Sequence, residues 1–78
     1  MVMLIWPIDV LELSAEASDF LRSNTIYFVG DLEQRTRREL LDMPHASAEL
    51  VLEIDLALRK NGRILGTRLE DWPPKVNR

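Results

Sequence analysis

The apolar positions of this chain are spaced for helices. Leu50, Val51, Ile54, Ala57 and Leu58 fall on one stripe about 120° wide at 100° per residue, which predicts a helix over roughly 48–60. Ser47 is placed to cap its start and Gly62 to stop it. Leu52 and Leu56 lie on the opposite side, four residues apart. Ala17, Phe20, Leu21 and Asn24 repeat the helical spacing, so a second helix is expected over 15–24, capped by Ser14, with Phe20 and Leu21 inward. Glu16 and Asp19 share its outer face. Thr25–Val29 has strand propensity, but no second run of that kind exists to pair with it. It therefore reads as a buried connector into a short helix near 29–34, with Val29 and Leu32 inward. Thr36 and Glu39 have capping-box spacing at the start of a further short helix, 37–42, with Leu40 and Leu41 inward. Pro44 ends it.

The flanks carry no long period. Met1–Trp6 reads as an extended or irregular apolar arm on the core, and Ile8, Leu11 and Leu13 as a short turn. Ile64, Leu65, Leu69 and Trp72 are expected to anchor the tail over the bundle, and Lys75–Arg78 to fray. Both tryptophans are expected to be core anchors. The sum is an all-α fold, a compact bundle of four to five short helices filling residues 1–78 as a single module.

Composition narrows the function. An apolar fraction of 46% excludes a disordered chain, and no cysteine means no disulfide or thiolate metal site, which suits the cytoplasm. The apolar start is too short for a membrane span or a signal peptide. A formal charge of −3 gives no general attraction to nucleic acid. The cations cluster at Arg35, Arg37 and Arg38, and again at Arg59, Lys60 and Arg63. One histidine, His45, cannot build a triad or a zinc site and reads as a solvent-facing loop residue. Glu12, Glu16 and Asp19 lack the loop and spacing of a calcium site. No catalytic residue, cofactor or metal is expected. The joint between the last two helices is the odd feature. A helix N-terminus suits an anion, yet this one has no glycine and carries Glu49 and then Glu53.

These residues carry a resemblance. Pro7-Ile8-Asp9 with Leu11-Glu12-Leu13, Val29-Gly30-Asp31-Leu32 with Gln34-Arg35-Thr36, Glu39-Leu40-Leu41, Pro44, Gly66, Arg68-Leu69-Glu70 and Trp72-Pro73-Pro74 run without a gap over nearly the whole chain. In this order they are similar to the C-terminal domain of the bacterial RNA polymerase alpha subunit. The resemblance implies a helical bundle with a helix–hairpin–helix-like element, and no enzyme activity of its own. In that family the domain is tethered to the polymerase, grips the minor groove of A·T-rich promoters, and touches activators and the sigma factor.

The family's DNA-contact positions hold other chemistry here. Its principal arginine is Glu16, and its asparagine three residues on is Asp19. The hairpin glycine is Ser47, the following lysine Glu49 and the adjacent serine Leu50; only the acid at Glu53 is kept. Carboxylates are repelled where the groove favours Arg and Lys, so DNA binding by the family mode is expected to be weak or absent. The sigma-facing patch maps to Asp9 and Glu12, interrupted by Val10, and the activator-facing loop to Thr36, Arg37, Arg38, Glu39 and Arg68. Leu50, Leu52 and Leu56 are expected either to lie under the arm or the tail or to meet a protein partner or a second copy. The resulting expectation is a transcription-related interaction module contacting polymerase, sigma factor, a regulator or itself. The alternative is a promoter-contact domain using a relocated basic face. A free-standing module and a segment of a longer alpha-like subunit both fit the sequence.

Overall fold

The computed structural model describes residues 4–68. The expectations for Met1–Met3, for the anchors Leu69 and Trp72, and for Lys75–Arg78 fall outside them. A 3-10 turn, Ile8–Leu11, precedes four α-helices: α1 (Ala15–Ser23), α2 (Val29–Glu33), α3 (Arg37–Leu41) and α4 (Ala48–Lys60).

Local chemistry fixes these bounds. The Ser14 hydroxyl accepts from the Ala17 N–H at 3.1 Å, and the Ser47 hydroxyl from the Leu50 N–H at 3.2 Å. Each satisfies one of the donors a helix start leaves free. Thr36 and Glu39 close the full capping box on α3. Past α4, Gly62 takes φ 76, the left-handed conformation that glycine adopts without strain.

The helix α2 is capped differently. The Val29 N–H donates to the Trp6 carbonyl and the Gly30 N–H to the Leu4 carbonyl, both at 2.9 Å. The arm thereby supplies the acceptors that no side chain provides. The Ile8 N–H also donates to the Tyr27 carbonyl at 3.0 Å, and Pro7 and Phe28 form an antiparallel bridge. The β-prone connector thus has a partner after all: the apolar arm, running antiparallel to it. Because both edges lie at the surface, Tyr27, Phe28, Ile5 and Trp6 are exposed. The expectations of a buried connector and of Trp6 as a core anchor are corrected accordingly; within the connector Ile26 and Val29 go inside.

Ile8, Leu11, Ala17, Phe20, Leu21, Ile26, Val29, Leu32, Leu40, Leu50, Val51, Ile54 and Leu58 form one core. Helices α1 and α3 both pack on α4, which is the spine of the bundle. Two inward assignments fail. Leu41 is 43% exposed, because consecutive residues on a helix point about 100° apart and Leu40 takes the inward position. Ile64 is exposed as well, while Leu65 packs on the edge of the core.

Candidate interaction surface

The helix pair α3–α4 and its joint, residues 42–47, form the hairpin element, and α1 lies beside the joint. The left-handed residue in this joint is His45, at φ 67, exposed to solvent. Ser47 has φ −144, extended backbone open to any residue, so no glycine is required there and the hydroxyl is free to cap.

Two shallow depressions, each about 350 Å³, flank this corner. Glu16, Asp19, Phe20, Ser23, His45 and Leu50 line one; Ser14, Glu16, Ser47, Glu49, Leu50 and Glu53 line the other. The fold therefore gathers all six positions, Glu16, Asp19, Ser47, Glu49, Leu50 and Glu53, on one surface. Neither depression has a lysine or arginine in its wall. Glu16, Asp19 and Glu49 are exposed, and their side chains have no hydrogen-bond partner among the described residues.

Two of the six have an internal role. Glu53 accepts from the Ser14 N–H at 2.7 Å and from the Ser14 hydroxyl at 2.9 Å. One carboxylate thus ties the cap of α1 to the middle of α4. Leu50 is only 8% exposed and belongs to the core, so it is not part of an exposed leucine surface.

The outer leucines are bare. Leu52 and Leu56 are 54% and 56% exposed, with neither the described part of the arm nor that of the tail covering them. Leu41 extends the apolar area, in a groove of about 230 Å³ lined by Arg37, Leu41, Ala48, Val51 and Leu52. Its place at the surface was missed, although adjacent leucines on a five-residue helix could have signalled that one must face out.

Half of the clustered cations, Arg37, Arg59 and Arg63, are paired within the molecule. Asp55, 3% exposed, accepts from Arg37 at 2.7 Å and from Arg59 at 3.1 Å. Glu33, 1% exposed, takes two bonds from Arg63, at 2.7 and 2.8 Å. The hydrogen bonds to Glu33 hold the Arg63 guanidinium above its ordinary pKa, against the opposing effect of burial. Arg35, Arg38, Lys60 and Arg68 are exposed with no ion pair among the described residues. Neither Glu33 nor Asp55 stands out by residue type or motif. Their signal is placement: Glu33 is four residues from Val29, and Asp55 borders the α4 stripe with Arg59 one turn on.

Of the expected partner positions, Thr36 and Glu39 are occupied in the capping box, the Thr36 N–H donating to Glu39 at 2.8 Å. Asp9 pairs with Arg22 at the surface. Glu12 is exposed, in a left-handed conformation at φ 55 that closes the 3-10 turn. The acids and the histidine form no metal-holding group among the described residues. No helix there is long and apolar enough to cross a membrane.

The family model for the C-terminal domain of the bacterial RNA polymerase alpha subunit matches residues 3–60. The protein belongs to this family. The matched stretch takes in the 3-10 turn and all four helices, and ends with α4. The family is a non-catalytic domain of the polymerase alpha subunit, so the protein is a relative of a transcription component rather than of an enzyme's catalytic part. Components of the polymerase are the class of partner that this membership implies.

Proposed function

We propose that this alpha C-terminal-domain relative is a transcription-related interaction module that works through protein contacts and has given up the family's minor-groove grip. It would act as one module over residues 1–78, in the cytoplasm with the polymerase. The observation that carries this reading is the corner between α1 and α4. There Glu16, Asp19 and Glu49 stand exposed around two depressions with no cation in their walls. Phosphate contacts supply most of the affinity of groove binders, and a carboxylate at each such position repels the backbone. On the family's pattern, the sigma-facing contact would fall to Asp9 and Glu12. The activator-facing contact would fall to Arg38 and Arg68, because Thr36, Arg37 and Glu39 are held internally.

The test is a fluorescence anisotropy titration of a labelled A·T-rich duplex at low salt, beside purified polymerase and sigma factor on a sensor surface. Saturable binding to a polymerase component, with no DNA binding at high micromolar protein, is the expected result. Salt-dependent DNA binding abolished by Arg35→Glu/Arg38→Glu would replace this reading with the relocated basic face.

A further inference from the structure

The outer face of α4 has a pattern that fits a second copy of itself. Going along the helix, Glu49 stands at the N-terminal end, Leu52 and Leu56 in the middle, and Lys60 at the C-terminal end, all four exposed. At 100° per residue the two leucines are about 40° apart, and Glu49 and Lys60 lie on the same flank of them, about 20° from one another. The midpoint of the leucine pair and that of the Glu49–Lys60 pair differ by about half a residue, under ~1 Å along the axis.

We propose that two copies of the protein associate through α4 packed antiparallel on α4, about a two-fold axis between Leu52 and Leu56. This adds a second copy to the partners of the protein-contact reading above and rests on it. The two-fold sets Leu52 of each copy against Leu56 of the other. It also turns the same flank of both helices toward each other, so Glu49 of each copy meets Lys60 of the other. One register therefore satisfies the leucines and both charges together, which is the self-complementarity an isologous interface requires. A parallel pairing of the same helices would put both Glu49 at one level and both Lys60 at the other, on opposite sides of the seam, so no Glu49–Lys60 pair would form across it. The opposite flank adds apolar area: Leu41 and Ala48 border the groove beside Leu52, where Leu56 of the other copy can seat. Three half-exposed leucines per copy make a small interface, so the association is transient, in the micromolar range, and not that of a permanent dimer.

Sedimentation velocity over a wide protein concentration range reads this directly. The wild-type protein is expected to shift from monomer to dimer, and Leu52→Glu/Leu56→Glu to stay monomeric with unchanged helical circular dichroism. Glu49→Lys and Lys60→Glu, each alone, set like charges against one another and weaken the dimer by about three- to tenfold. The double variant Glu49→Lys/Lys60→Glu exchanges the charges and restores it. The two residues are eleven positions apart on one helix, about 16 Å, so the rescue has no intramolecular explanation. A wild-type protein that is monomeric throughout overturns the proposal, as does a charge exchange that fails to rescue. Neither result touches the DNA titration, so a failed dimer and a failed protein-contact function give different outcomes.

Discussion

If the corner between α1 and α4 is an inverted DNA face, restoring its charges should restore affinity by a calculable amount. The perturbation is Glu16→Arg with Glu49→Lys, two exposed positions that make no hydrogen bond among the described residues. Each substitution changes the local charge by two units. A unit charge about 4 Å from a phosphate is worth about 1 kcal/mol in water, so the pair is worth about 4 kcal/mol before salt. With screening removing a third to a half, about 2–3 kcal/mol remains, or roughly a hundredfold in affinity. Two new phosphate contacts also imply a slope near −1.8 in log K against log salt, about a tenfold loss between 50 and 200 mM. The gain comes with a stability penalty. Both residues lie in the first turn of their helices, where a carboxylate is favoured and a cation disfavoured by about 0.3–1 kcal/mol each. The variant should therefore melt several degrees below wild type while binding an A·T-rich duplex that the wild type ignores. Anisotropy titrations at several salt concentrations, with thermal melts by circular dichroism, check both halves. Equal affinity for the two proteins, or a wild-type slope already near −2, would refute the reasoning.

The other predictions concern the scaffold. Arg63→Met strands the buried Glu33 carboxylate and should destabilise by about 3–5 kcal/mol in urea denaturation, whereas Glu33→Met/Arg63→Met together should cost clearly less, since no buried charge is left alone. Glu53→Ala frees the Ser14 N–H and hydroxyl and should cost about 1–3 kcal/mol, with the earliest loss of amide protection in the first turn of α1 by hydrogen exchange.

What the sequence made legible, and what it did not, follows from the range of the interactions. Helices α1, α3 and α4 begin where a local side-chain cap says they should, because a cap joins residues three apart. The bounds 48–60 were readable in full for that reason. The arm was not readable. Its role rests on backbone bonds between residues 4–8 and 27–30, which no side-chain pattern records. The same holds for the ties from Arg63 to Glu33 and from Arg37 to Asp55, 30 and 18 residues apart. At the corner, the resemblance identified which positions meet, but only the fold separates exposed Glu49 from buried Leu50 beside it.

That separation sorts the residues of the corner by what the fold asks of them. The side chains of Glu16, Asp19 and Glu49 make no bond to the rest of the described fold, so hydrogen bonding within the molecule does not fix their identity. Glu53 occupies the same surface but holds two donors of Ser14, and Ser14 in turn caps α1. Replacing it would leave those donors unanswered and loosen α1 from the spine, whatever the surface is used for. Ser47 and Leu50 are likewise tied in, one as the cap of α4 and the other as a core residue, and both strengthen the start of α4. The corner thus joins scaffold contacts at Ser47, Leu50 and Glu53 to exposed carboxylates at Glu16, Asp19 and Glu49. Those contacts fix the first half of α4 to α1 and the core, and so hold rigid the outer helix face on which Leu52 and Leu56 are exposed.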